Sequence, residues 1–163
     1  MLLGVVSDTH NRISNVEKIV EIFNSNKVDL VIHTGDITQA KILDIFCGLK
    51  SSLLGVFGNN DLNEPGLEES VKRNGFKFSL PPLITSISGK KIAILHEPDE
   101  IENIIKREKN LDLILHGHTH RYRDEIVEGV KIFNPGECAG SINGKNAVGL
   151  ITLNNLETER IFF

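Results

Sequence analysis

The chain contains few cysteines and has no excess of basic residues, and each shortage excludes a class of protein. Its 163 residues include two cysteines, Cys47 and Cys138, which form no disulfide framework and favour a reducing, cytosolic setting. Eighteen Lys and Arg residues stand against 22 Asp and Glu residues, which gives a net charge of −4. General binding to nucleic acids or to membrane surfaces is therefore not expected.

A long apolar run is also absent from the sequence. A membrane-spanning helix needs about 20 consecutive apolar residues, and the apolar N-terminal run ends at Val6, too early for a signal peptide. Hydrophobic residues make up 40 % of the chain and charged residues 25 %, as in average globular proteins. We therefore expect one domain over residues 1–163, cytoplasmic and without a membrane partner.

The first half alternates short apolar runs with helical patterns. Three segments are predicted as strands and two as helices, namely 2–6, 28–33 and 52–57, and 16–23 and 40–46. Ser14 and Glu17 form a capping-box pattern that predicts the start of the first helix. This β-α-β-α-β order implies a parallel sheet with right-handed crossovers and helices on its faces.

The second half is richer in β-structure. One helix is predicted over 100–109, and strands are predicted over 83–88, 91–95, 111–115, 122–127, 130–133, 147–153 and 157–162. Gly89-Lys90 and Glu128-Gly129 are interpreted as turns between neighbouring strands. The whole pattern predicts an α/β fold in which two sheets face each other and the helices lie outside.

Residues that can bind metals follow five of the apolar runs. They are Asp8 and His10, Asp36, Asn59 with Asn60 and Asp61, His96, and His118 with His120. The carboxyl edge of a parallel sheet is where open α/β sheets bind ligands. In extended backbone, residues two apart point the same way, so each Asp-x-His or His-x-His pair should offer two ligands to one site.

A plain structural interpretation exists for each of these residues. A lone histidine such as His96 is more often structural, Asp8 fits a helix N-cap, and Asn-Asp pairs are ordinary turn residues. Five segments with the same kind of residue at strand ends make coincidence the weaker explanation. Carboxylate, imidazole and amide donors without thiolate suit Mn²⁺, Fe²⁺, Co²⁺, Ni²⁺ or Zn²⁺, and seven donors exceed the need of one ion.

Four other features are interpreted as structural. His33 lies within a predicted strand and His116 precedes the Gly-His-Thr-His segment, so both are interpreted as packing or supporting residues. Cys138 follows an Asn-Pro-Gly-Glu segment with no base to activate its thiol. The charged run 106–109 is interpreted as the solvated face of a helix.

Taken in order, the candidate ligands form a set of motifs, namely Asp8-x-His10, Gly35-Asp36, Gly58-Asn59-x-Asp61, His96 and Gly117-His118-x-His120. This set resembles the ordered motifs of the calcineurin-like metallophosphoesterases. The small size and the segment Asn134-Pro135-Gly136 resemble the compact bacterial and archaeal phosphodiesterase branch of that family. The resemblance implies an α/β fold of the family's type, a two-sheet αββα sandwich.

The resemblance also implies two divalent metal ions, with manganese expected first and Ni, Co, Fe or Zn as alternatives. One ion would take Asp8, His10, Asp36 and His120, and the other would take Asp36, Asn59, His96 and His118, so that Asp36 bridges them. The implied reaction is hydrolysis of a small phosphodiester by a metal-bridging hydroxide, with Asp36, Asn59, Asn60 and Asp61 as catalytic residues. A homo-oligomer is compatible with the sequence.

Two positions depart from the family pattern. Asn60 stands where many members have a histidine thought to assist the leaving group, and Glu97 follows His96 where many small members continue with Gly-His. The substrate and the leaving-group acid therefore stay open. So do two alternative functions, a phosphomonoesterase and a non-catalytic protein-binding scaffold like the retromer subunit that shares this fold.

Overall fold

The computed structural model describes residues 1–142 and 144–163. Over those residues the strands are β1 (Leu2–Val6), β2 (Leu30–His33), β3 (Ser52–Val56), β4 (Lys77–Ser79), β5 (Leu83–Ile87), β6 (Lys90–Ile94), β7 (Leu113–Leu115), β8 (Arg123–Val127), β9 (Val130–Asn134), β10 (Ala147–Thr152) and β11 (Glu157–Phe162). The helices are α1 (Ile13–Ser25), α2 (Ala40–Ile45), α3 (Leu67–Arg73) and α4 (Ile101–Arg107), with 3₁₀ turns at Phe46–Gly48 and Pro98–Glu100.

The strands form two sheets. The first has the order β11-β10-β1-β2-β3-β4, in which β1 to β4 run parallel and β10 and β11 are antiparallel to their neighbours. The second has the order β5-β6-β7-β9-β8, with β6, β7 and β9 parallel. Antiparallel edge strands therefore flank a parallel centre in the second sheet.

Three apolar clusters lie between the four layers of the fold, which are helices, first sheet, second sheet and helix α4. The central cluster joins buried residues of both sheets, such as Val5 and Ile32 of the first with Ile94 and Leu115 of the second. The outer clusters pack α1, α2 and α3 against the first sheet and α4 against the second. The predicted α/β fold, a two-sheet αββα sandwich, is confirmed.

Strand register brings the chemically interesting loops together. Val6 of β1 pairs with His33 of β2, which pairs with Gly55 of β3, so the carboxyl ends of these strands are nearly level. In the second sheet, Ile94 of β6 pairs with Leu115 of β7. Each polar segment identified in the sequence begins two or three residues after the end of one of these five strands.

Several local predictions were wrong. Helix α1 begins at Ile13 with Arg12 at its N-cap and no side-chain capping bond, so Ser14 lies inside the helix and no capping box forms. The backbone N–H of Arg12 already bonds to the carbonyl of Thr9, which starts the turn early. The turn between β5 and β6 is Ser88-Gly89 rather than one residue later, and neither α3 nor β4 was predicted.

Among the described helices, none has the length and apolar character needed to cross a membrane.

Candidate metal centre

The structure brings all seven predicted ligand residues to one site at the carboxyl ends of β1, β2, β3, β6 and β7. Nε2 of His120 lies 3.4 Å from Oδ1 of Asp8. Around Asp36, Nε2 of His10 lies 3.7 Å from Oδ2 and Nε2 of His96 lies 3.4 Å from Oδ1. A single network of donor atoms therefore includes both carboxylates.

Asn59 joins the other two histidines to this network. Its Oδ1 lies 3.0 Å from Nε2 of His96 and 3.2 Å from Nδ1 of His118. The two imidazole rings meet edge to face with centroids 5.1 Å apart. The amide oxygen and two imidazole nitrogens thus converge on one point.

Four of these five spacings, at 3.0–3.4 Å, suit donors that share an ion, and the fifth, at 3.7 Å between His10 and Asp36, is slightly longer. Two ligand atoms bound at about 2.1 Å to one tetrahedral or octahedral ion lie roughly 3.0–3.4 Å apart. Two triads have donor atoms that all lie within 4.8 Å of one another, Asp8 with His10 and His120, and Asp8 with Asp36 and His96. The donor set and its geometry therefore fit divalent metal ions.

Charge and burial at the site favour cations. The side chain of Asp8 is 0 % exposed and that of Asp36 is 3 % exposed. Among the described residues, neither carboxylate forms an ion pair with a lysine or arginine. A buried carboxylate needs opposite charge nearby, and the histidines supply only part of it here. The site can therefore accept positive ions.

Hydrogen bonds orient several of the donors. Nδ1 of His96 lies 2.9 Å from the carbonyl oxygen of Thr34 and donates to it, so Nε2 is the nitrogen that faces Asp36 and the one available to a metal. Asp8 accepts hydrogen bonds from the hydroxyl of Ser7 and from the backbone N–H of His118. Ser7 and Thr34 were missed in the sequence because backbone acceptors and lone hydroxyls leave no motif.

Local electrostatics at Asp36 also favour the binding of a cation. Burial alone would raise the pKa of Asp36, but hydrogen bonds from His96 and Asn60 outweigh it and hold that pKa well below its usual range. Burial opposes a charged His96, yet the nearby carboxylate of Asp36 raises the pKa of this imidazole. The side chain of Asp36 therefore stays ionised and attracts positive charge.

The ligand pairs converge by a different route from the predicted one. Extended backbone was expected at Asp8 and His10 and at His118 and His120, and this was wrong. All four residues have positive φ, at 52°, 42°, 65° and 56°, and Asp36 has φ of 60°. Left-handed backbone turns the chain sharply after β1, β2 and β7, so that neighbouring side chains reach the same site.

Gly58 shows why a residue without a side chain is needed beside Asp36. A Cβ atom at this position would lie 2.2 Å from Oδ1 of Asp36 and 2.4 Å from its backbone nitrogen. No side chain fits at that distance. The glycine therefore lets the loop after β3 approach the loop after β2.

Asn60 and Asp61, both predicted as catalytic, have different positions. The backbone N–H of Asn60 donates to Oδ1 of Asp36 at 3.0 Å, and its side-chain amide donates to Oδ2 at 2.8 Å. Asp61 is buried and accepts four backbone N–H groups, those of Gly58, Asp36, Ile37 and Thr38, at 2.7–2.9 Å. Asp61 therefore holds the loops that carry the ligands, and its predicted catalytic role stays a prediction.

The histidines interpreted as supporting residues are buried beside the site. His33 bonds to Thr9 and to the backbone N–H of Gly35, and burial lowers its pKa to about 3. Burial lowers the pKa of His116 to about 4. Cys138 is fully buried, and burial raises the pKa of its thiol, so it remains neutral and unreactive.

A family model and several known proteins match the chain. The model of the calcineurin-like phosphoesterase superfamily domain matches residues 1–156. A phosphodiesterase of Methanocaldococcus jannaschii is 32 % identical over 164 residues, which cover 99 % of this chain and 98 % of the relative. A solved structure of an archaeal phosphodiesterase has a TM-score of 0.90 at 30 % identity and covers 100 % of both chains. Vacuolar protein sorting-associated protein 29 of Schizosaccharomyces pombe is 23 % identical, over 88 % of this chain and 75 % of the relative.

Proposed function

The chain belongs to the calcineurin-like phosphoesterase superfamily, and from this membership we propose that it is a metal-dependent phosphodiesterase that uses two divalent ions. The observation that carries the proposal is the convergence of all seven expected ligand residues on one site. The M. jannaschii relative that is named a phosphodiesterase supports the choice of diester over monoester.

The ligands divide between two ions through the shared carboxylate. Asp8, His10 and His120 would hold one ion, and Asn59, His96 and His118 would hold the other. Asp36 contacts histidines from both sets through different oxygens, so it is suited to bridge them. Manganese is the proposed metal, since oxygen and imidazole donors without thiolate suit it.

Ions bound at this site would supply an activated water and positive charge for the phosphate. The chain itself contributes the arrangement of the donors. Asp8 and Asp36 bring two negative charges against four from the ions, so a positive surplus would remain to bind a phosphodiester anion. Asn60 keeps Asp36 in place, and Asp61 keeps the loop backbone in place.

A panel of substrates tests the proposal. The protein is stripped with a chelator and reloaded separately with Mn²⁺, Ni²⁺, Co²⁺, Fe²⁺ or Zn²⁺. It is then assayed with bis(4-nitrophenyl) phosphate and with 4-nitrophenyl phosphate. We expect diester hydrolysis that is lost on chelation, restored best by Mn²⁺, and faster than monoester hydrolysis.

Two variants make the assay specific. Asp36→Asn should remove both metal binding and turnover, whereas Asp99→Asn, an exposed carboxylate outside the ligand set, should retain two ions per chain. A faster monoesterase would support the phosphomonoesterase alternative. Absence of hydrolysis with every metal, in a protein that binds two ions, would support the scaffold alternative.

A further inference from the structure

An open cleft of about 500 Å³ adjoins the metal centre on the side of His96. Asn59 and His96 line the cleft as well as the metal centre, so a phosphodiester bound at the metals can extend a substituent into it. Such a volume lies within the range of pockets that bind small molecules. The cleft is therefore placed to contact one of the two alcohol groups of a diester.

The cleft has an apolar part, called here its apolar wall. Leu62 and Leu80 are 56 % and 65 % exposed, and Phe57, Pro82 and the buried Leu95 complete this wall. Large aliphatic side chains exposed together beside a catalytic site favour contact with apolar groups of a ligand. Removing such a group from water on this wall would stabilise the complex.

The cleft also has an acidic part, called here its acidic rim. Glu97, Asp99 and Glu100 line it, and all three are exposed. Among the lining residues that the structure describes, none is a lysine or an arginine. A substituent carrying a second phosphate or a carboxylate would meet repulsion there, whereas an uncharged substituent would not.

We propose that this cleft binds an uncharged, apolar alcohol substituent of the phosphodiester, and that its acidic rim rejects substituents with a further negative charge. The inference rests on the proposed phosphodiesterase activity and narrows its substrate class. It selects small diesters with a single negative charge over polynucleotides and over diesters with additional phosphates.

The apolar wall is tested with bis(4-nitrophenyl) phosphate and the manganese-loaded protein. Leu62→Ser and Leu80→Ser should each lower kcat/KM by about tenfold, mainly through KM. Ile126→Ser is the matched control, because Ile126 is 70 % exposed and does not line this cleft. Equal kcat/KM values for the leucine variants and the control would overturn the role of the wall.

The acidic rim is tested with a second symmetric probe, bis(4-carboxyphenyl) phosphate, which carries two further negative charges. In the double variant Glu97→Gln/Glu100→Gln, the ratio of kcat/KM for this probe to that for the nitrophenyl diester should rise about tenfold. Glu21→Gln, an exposed carboxylate on α1, serves as the control and should leave the ratio unchanged.

The outcomes distinguish a failure of the proposal for the cleft from a failure of the proposed function. Hydrolysis of both probes with a ratio that the rim variants do not change would overturn the inference and leave the proposed function standing. Hydrolysis of neither probe with any metal would overturn the proposed function and the inference together.

Discussion

Asn60 donates hydrogen bonds to both carboxylate oxygens of Asp36, one from its backbone and one from its side chain. The proposed bridging ligand is thus fixed in orientation by the residue that stands where the resemblance implies a histidine. One N–H of the Asn60 amide is therefore committed to Asp36 rather than free to contact a phosphoryl oxygen. This geometry suits Asn60 to positioning Asp36, and its predicted catalytic role stays a prediction.

Asn60→Ala should weaken metal binding without removing any ligand. The backbone bond to Asp36 remains and the side-chain bond is lost, and losing such a supporting contact typically lowers metal affinity about 10–100-fold. Titration calorimetry with Mn²⁺ checks this, with Asn103→Ala on the exposed face of α4 as the control. Equal affinities in the two variants would contradict the positioning role.

Turnover should depend steeply on the leaving group. Asn60 has no titratable proton to give, and general-acid help is typically worth about 10²–10⁴-fold. Rates across a series of diesters should therefore fall strongly as the alcohol becomes more basic. Asn60→His should flatten this dependence, because it should raise the rates of the slowest substrates most.

The slope of rate against leaving-group pKa checks this prediction. A flat dependence in the wild type, with chemistry rate-limiting, would mean that another residue acts as the acid. Glu97, exposed at the rim beside His96, is the residue to replace next.

Asp61→Asn should destabilise the fold. The carboxylate accepts four backbone N–H groups, and an amide offers one oxygen and places its own donors against theirs. We expect a loss of about 2–4 kcal/mol in the free energy of unfolding, measured by urea denaturation. Asp99→Asn, at an exposed position, should change it by less than about 0.5 kcal/mol. A value for Asp61→Asn as small as that would contradict the anchoring role.

Acid should destabilise the protein partly through His33. Burial lowers its folded pKa to about 3 from 6.5, so between these values the unfolded chain binds the proton and the folded chain does not. The free energy of unfolding should therefore fall as the pH drops below about 6.5, by about 2 kcal/mol from this residue at pH 5.

His33→Gln isolates this contribution, since the amide does not titrate. The free energies of unfolding of wild type and variant are measured by urea denaturation in chelator from pH 7.5 to pH 5. As the pH falls, the wild type should lose more of this free energy than the variant does. A difference that stays constant across this range would show that His33 does not remain neutral in the folded protein.

The sequence predicted the layers well, and it identified candidate ligands at strand ends that the fold brings together, because both depend on simple patterns. Buried parallel strands are continuous apolar runs, and the candidate ligands come shortly after these runs, as Asp8 comes two residues after Val6. Helix α3 and strand β4 escaped prediction because each is short, seven and three residues, and is stabilised by packing on α2 and β3 rather than by its own pattern.

The geometry within the site could not be predicted in the same way. Left-handed backbone at His10 or His118 has no sequence signature, since histidine does not require it. The bonds of Asp61 to four backbone groups join residues up to 25 positions apart. Only the folded chain shows that Asp61 supports the loops and that Asn60 orients Asp36.

The left-handed backbone at five ligand positions serves the metal site but lowers the stability of the folded chain. A non-glycine residue in that region is strained by about 1–2 kcal/mol, so the ligand loops are held in place by the strands and cores around them. Removing this strain by glycine at His118 should give a protein that resists unfolding better than one with alanine there, while neither binds metal normally. The packing of the apolar layers thus offsets the backbone strain at the metal site. In a family member that no longer binds metals, these loops would be free to adopt unstrained backbone conformations.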